Sequence, residues 1–182
     1  MVLYIFTEGC NLRLFFTEKE SLPGGEAARL LLSRAWSAVC EGEMPEISKT
    51  PAGKPFFPAR PDVYFSISHT KTHVLAAIGN SPVGADIETC RPLRPGIWHH
   101  VGSEAELYEF GFFPLWTLKE SYIKLFGEAA PMRQLRFERS CGIIKTPHDC
   151  VFARLYDNAD NCSAAVCVLG EEPPRSAERL KL

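Results

Sequence analysis

The sequence predicts an α+β fold in which helices pack on antiparallel sheet. Three observations carry this reading. Apolar residues recur at helical spacing over 25–40 and again over 114–126. Short β-prone runs joined by tight turns cluster at 63–88 and return over 135–169. The order is strand, helix, strands, then helix, strands, so the second half of the chain loosely echoes the first.

Val2–Phe6 is a short apolar run that reads as a strand. Gly25–Cys40 reads as a helix, with Ala27, Leu30, Leu31, Ala35, Ala38 and Val39 on one stripe and Arg29 and Arg34 near its polar side. Pro45–Pro61, with five prolines, is a connector that holds the triplet Gly53-Lys54-Pro55. Val63–His69, His73–Gly79 and Val83–Glu88 then read as three strands of an antiparallel meander. Pro92 and Pro95 break the chain, which places a boundary near Cys90–Pro95 and two halves at 1–90 and 91–182. Ser103–Phe110 is a short helix with Ser103 as N-cap and Glu106 at the capping-box position. Pro114–Phe126 is a stronger one, striped by Leu115, Leu118, Tyr122, Leu125 and Phe126 and stopped by Gly127. Leu135–Phe137, Cys150–Leu155 and Ser163–Leu169 are further β-prone runs, and the polar tail Glu171–Leu182 is expected to fray.

Composition excludes several classes of function. Of 182 residues, 46% are hydrophobic and 23% charged, too apolar for a disordered chain. A formal charge of −2 argues against a nucleic-acid binder. No run of 18 apolar residues exists to form a membrane-spanning helix. The opening MVLYIFTEGCNL lacks a basic region and meets Glu8 early, so no signal peptide is expected and the protein is placed in the cytoplasm. The seven cysteines (Cys10, Cys40, Cys90, Cys141, Cys150, Cys162, Cys167) contain no CxxC pair and are expected as reduced thiols filling a core.

Four groups of residues carry candidate chemistry. Asp86 and Glu88 are two apart on a strand, so both carboxylates face one way and Ile87 the other. Two close carboxylates repel each other, and Mg²⁺, which takes oxygen ligands, relieves that. Glu120 and Lys124 are one turn apart on a helix, with Lys119 beside them. Basic residues from Lys119 to Arg139 suit an anionic ligand or an acidic partner. Ser68-His69 ends a strand, and Lys54 is fixed between Gly53 and Pro55. There is no G-x-S-x-G elbow, no Walker loop and no GxGxxG.

Taken in order, Gly53-Lys54-Pro55, Phe65-Ser-Ile-Ser-His69-Thr70, Val83-Gly-Ala-Asp-Ile-Glu88 and Trp116-Thr-Leu-Lys-Glu-Ser-Tyr-Ile-Lys124 closely resemble the 4′-phosphopantetheinyl transferases of the Sfp type. The resemblance implies an Mg²⁺-dependent enzyme that moves phosphopantetheine from coenzyme A to a serine of an apo acyl or peptidyl carrier protein, releasing adenosine 3′,5′-bisphosphate. It implies a monomer of two similar halves with pseudo-twofold symmetry and coenzyme A in the cleft between them. Carried over, Asp86, Glu88 and Glu120 hold the metal, and Lys54, Ser68, His69, Lys119, Lys124 and Arg29 bind the coenzyme. Catalysis falls to Asp86, Glu120, Lys124 and a base. Glu106 fits the base by its S-x-x-E setting, with Glu104 second and a metal-bound water third. The chain departs from the family at Ala85, where a larger residue is usual, and at Gly102, where a Phe is expected; the N-terminal basic cluster is reduced to Arg13 and Lys19. The different-class alternative is a non-catalytic coenzyme A or carrier-binding module on the same scaffold.

Overall fold

The computed structural model describes residues 12–182 except 20 and 95, and of 157–159 it describes only the backbone. The expected strand Val2–Phe6 and Cys10 lie outside the described residues.

The described chain builds two sheets. β1 (Arg13–Glu18), β4 (Tyr64–His69), β5 (His73–Gly79) and β11 (Glu178–Arg179) form the first, in the order β11-β1-β5-β4. β6 (Val83–Thr89), β7 (Glu138–Ser140), β8 (Ile143–Lys145), β9 (Val151–Ala159) and β10 (Cys162–Leu169) form the second, in the order β6-β10-β9-β8-β7. β2 (Ser48–Lys49) and β3 (Pro55–Phe56) make a small hairpin inside the proline-rich connector, with Lys54 beside its turn. Three helices complete the fold: α1 (Gly24–Val39), α2 (Glu104–Phe110) and α3 (Phe112–Phe126).

Side-chain alternation stacks these elements in four layers. Along β5, Val74, Ala76 and Ile78 pack against Leu31, Leu32 and Trp36 of α1, while Leu75 and Ala77 face the second sheet. Along β10, Ala164, Val166 and Val168 face the first sheet, while Ala165 and Cys167 pack against Leu118, Tyr122 and Leu125 of α3. The order is therefore α1, first sheet, second sheet, then α2 and α3. Strands covered on both faces read as unbroken apolar runs, which is how β5 and β10 look in the sequence.

Several expectations are corrected. β4 and β5 pair antiparallel, but β6 does not continue a meander: it crosses to the second sheet and pairs with β10. The chain thus passes from one sheet to the other at residues 80–82. The run Leu135–Phe137 is not a strand; the strand begins at Glu138. The tail does not simply fray. β11 pairs parallel with β1, Arg13 forms an ion pair with Glu178, and Leu180 and Leu182 pack on the first core. Among the described residues, only Cys162 and Cys167 of the cysteines are buried; Cys141 and Cys150 are exposed, and Cys40 and Cys90 lie between. No described helix is long and apolar enough to cross a membrane.

Candidate active site

β6 has one apolar and one polar face. Val83, Ala85 and Ile87 point between the sheets and belong to the core there. Gly84, Asp86 and Glu88 therefore point the other way, toward α3. Gly84 allows the close approach. A Cβ at that position would lie 2.0 Å from the Ser121 carbonyl oxygen and 2.3 Å from the Leu125 nitrogen. With glycine there, the helix backbone rests on the strand, and Glu120 and Lys124 come beside Asp86. The V-G-x-D spacing thus serves packing as well as chemistry.

At this junction Lys124 Nζ donates to Asp86 Oδ1 at 2.6 Å and to Ser68 Oγ at 3.0 Å. Ser68 Oγ in turn donates to Asp86 Oδ1 at 2.8 Å. The ion pair of Lys124 is thus with Asp86 across the sheet–helix seam, rather than along the helix to Glu120. Asp86 Oδ2 is buried and has no hydrogen-bond partner among the described residues. Burial raises the Asp86 pKa, with Lys124 and Ser68 opposing it and the Glu88 carboxylate adding to it. Glu120 is raised too, by burial first and then by Asp86 and Glu88. Glu88 also accepts from Arg91 Nη1 at 3.0 Å. The three carboxylates are electrostatic neighbours, but their ligand atoms are not drawn together within 4.8 Å of one another. An all-oxygen donor set, mutual repulsion and one orphaned buried oxygen fit a hard divalent cation.

The coenzyme-binding candidates are more scattered. Lys54 donates to the Leu125 carbonyl near the end of α3 and to the Val83 carbonyl at 3.4 Å, and burial lowers its pKa to about 8. Together with Phe65, Ile67, Ile123 and Lys124 it lines a cavity of about 350 Å³. His69 is exposed at the end of β4, and its ring lies against Gly24 at the start of α1. Arg29 is exposed on α1, and no hydrogen bond or ion pair joins it to the others among the described residues. A second cavity, about 470 Å³, opens beside Glu88 and is lined by Arg91, Leu93, Ile97, Phe112 and Trp116.

Glu106 and Lys119 belong to a separate centre between α2 and α3. Ser103 and Glu106 form a complete capping box at the start of α2. Glu106 Oε2 also accepts from Arg136 Nη1 at 3.0 Å, and Oε1 accepts from Lys119 Nζ at 2.8 Å and from the Phe137 amide at 3.2 Å. Burial alone would raise this carboxyl, but the donors outweigh it and hold the pKa at about 2. Such a carboxylate is a poor proton acceptor. Lys119 is fully buried between Glu106 and the Val101 carbonyl. Glu104 is exposed and has no such donor set. Gly102 is explained by the same centre. A Cβ there would stand 2.7 Å from Leu115 and 3.3 Å from Lys119 Nζ, leaving no room for a Phe.

Sequence comparison bears on what this seam is for. The chain is 35% identical over 86 residues to the 4′-phosphopantetheinyl transferase Sfp of Bacillus subtilis strain 168, covering 42% of this chain and 38% of that one. This chain is a relative of the 4′-phosphopantetheinyl transferases. A second Bacillus subtilis protein named 4′-phosphopantetheinyl transferase is 30% identical over 132 residues, 63% of this chain and 59% of its own. The 4′-phosphopantetheinyl transferase AcpT of Salmonella typhi is 35% identical over 117 residues, 57% of this chain and 58% of its own. In these matches the chain spans less than two thirds of each relative's length. No family model matches the chain.

Proposed function

We propose that the protein transfers 4′-phosphopantetheine from coenzyme A to a serine hydroxyl of an apo acyl or peptidyl carrier protein, with Mg²⁺ as cofactor. The observation that carries this is the β6–α3 seam: three carboxylates, one with an orphaned buried oxygen, bracketed by Lys124 and Ser68, in a relative of the phosphopantetheinyl transferases. Asp86, Glu88 and Glu120 would hold Mg²⁺, which would neutralise charge on the pyrophosphate.

Phosphoryl transfer needs positioning and charge neutralisation more than covalent chemistry from the protein. Lys124 supplies fixed positive charge at the seam, and Lys54 and His69 border the space for the nucleotide end. Arg29, exposed on α1, is tested with them. The serine oxygen bonds to the phosphorus that carries the pantetheine arm. The bond from that phosphorus to the oxygen of adenosine 3′,5′-bisphosphate breaks, and the serine proton goes to a base. With Glu106 saturated by donors, the exposed Glu104, the second candidate, is left to take it. The cavity beside Glu88, lined by Phe112 and Trp116, suits the less polar arm. The reading further includes a cytoplasmic monomer of two pseudo-equivalent halves, 1–90 and 91–182, with coenzyme A between them.

The deciding experiment incubates the protein with coenzyme A, Mg²⁺ and an apo carrier protein. A carrier mass gain of one phosphopantetheine, with release of adenosine 3′,5′-bisphosphate, is expected, and Asp86→Ala should abolish it. Coenzyme A binding with no transfer to any of several carriers would favour the non-catalytic module instead.

A further inference from the structure

A second cluster lies where β1, β5 and the β9–β10 turn meet. Glu18 at the end of β1 is the cross-strand partner of His73 at the start of β5. Asp160 reaches the same point from the turn between β9 and β10, in the other sheet. One ligand atom from each of Glu18, His73 and Asp160 lies within 4.8 Å of the other two.

His73 is only 4% exposed, and its Nε2 is buried with no hydrogen-bond partner among the described residues. That nitrogen points into the cluster, 3.5 Å from Asp160 Oδ2. The ring is fixed on two sides. Phe16 stacks on it with centroids 5.0 Å apart, and Thr72 Oγ1 lies 2.8 Å from Nδ1. When Nδ1–H donates to Thr72, Nε2 presents a bare lone pair, the arrangement that metal-bound histidines adopt. Cys162 Sγ, 3.5 Å from Nδ1, closes the buried side.

We infer that Glu18, His73 and Asp160 form a second divalent metal site, of the zinc class, which clips the two sheets together. One imidazole nitrogen and two carboxylates suit Zn²⁺ or a similar transition ion, with solvent in the remaining position. Mg²⁺, which prefers all-oxygen sets, is disfavoured here. The two carboxylates are held by a group that an ion can displace. Arg179 Nη2 donates to Glu18 Oε1 at 2.8 Å and to Asp160 Oδ2 at 3.3 Å, on a side chain that is 63% exposed. The guanidinium keeps the acids together and swings into solvent when the cation enters. Metal binding then competes with Arg179 and ties the turn of the second sheet to the first.

The test uses the full chain, freed of metal with a chelator and carrying Asp86→Asn to disable the β6–α3 carboxylate site. Titration with Zn²⁺ by calorimetry, and with Co²⁺ by visible absorption, should give one ion per chain. A rise in Tm with the logarithm of free Zn²⁺ should accompany it. Glu18→Gln and Asp160→Asn, both at exposed positions, should keep the fold and weaken Zn²⁺ by more than about tenfold, at least the cost of losing an outer-shell partner. Arg179→Gln should tighten it. No Zn²⁺ binding by the Asp86→Asn protein, or equal affinity with and without Glu18→Gln and Asp160→Asn, would overturn the assignment.

Discussion

Two lysine–carboxylate pairs sit on α3, one on each side of the helix, and they are built to opposite ends. Glu106 with Lys119 is closed: the carboxylate takes donors from Lys119, Arg136, the Phe137 amide and Ser103, and its pKa falls to about 2. Asp86 with Lys124 is open: one oxygen is supplied by Lys124 and Ser68, the other has no partner among the described residues, and the pKa rises. A buried carboxylate with every lone pair used holds structure together, whereas one left short of donors is ready for a ligand. The same residue types thus serve different ends according to how many donors each neighbourhood provides.

The largest effect should come from breaking the closed pair. Glu106→Ala leaves Lys119 buried with only the Val101 carbonyl, and about 3–5 kcal/mol of stability should be lost, read by denaturant unfolding. The two pairs also predict opposite pH limbs. The lowered pKa of Glu106 contributes about 3 kcal/mol that is present above its ordinary value near 4.5 and lost as pH falls through about 2. For Asp86 and Glu120, raised in the fold, the sign reverses: stability is higher below their ordinary values and declines as pH rises through the raised ones. Mg²⁺ should flatten that second limb and leave the first alone; a metal effect on the acid limb would blur the distinction.

Next in size is Gly84→Ala, which forces α3 off β6 and should cost about 1–3 kcal/mol by overpacking. Because the seam holds only the open centre, Mg²⁺-induced stabilisation should fall with it. Asp86→Asn should have a smaller effect on stability without metal, within about 1 kcal/mol, since it removes a charge that burial disfavours. Its unfolding midpoint should no longer respond to Mg²⁺. Arg136→Ala should do least, about 1 kcal/mol or below, because its side chain is 61% exposed and Lys119 stays in place. A loss as large as that of Glu106→Ala would show that Arg136 shares the burden equally.

Much of the open centre was legible from sequence, because strand alternation alone sends Asp86 and Glu88 to one face and Ile87 to the other. The closed one was not. Lys119 and Glu120 are adjacent in the chain, but consecutive helix positions point about 100° apart, so Lys119 turns to α2 while Glu120 turns to β6. The capping box at Ser103 was readable; the donors from Arg136 and Phe137 come from residues some thirty positions on and leave no local signal. The crossing of β6 to the other sheet was hidden for a similar reason. β5 and β6 are joined by a short turn of the kind that links hairpin strands, and each is apolar on the face between the sheets, so their spacing alone suggests a pair. β11 was missed because Glu178-Arg179 looks like any solvated pair of charges until β1 is beside it.

That last strand has a consequence for how the molecule is assembled. Arg13 and Glu178 are 165 positions apart, and every strand of the second sheet is encoded between them. The outer edge of β1 therefore stays unpaired through most of synthesis, while α1, β4 and β5 are already able to fold around it. Pairings this distant in the chain form late, and an open strand edge is a template for contact with other chains. A chain stalled or cut before residue 178 would present β1 to its neighbours, and its failure would be measured as aggregation before any loss of chemistry.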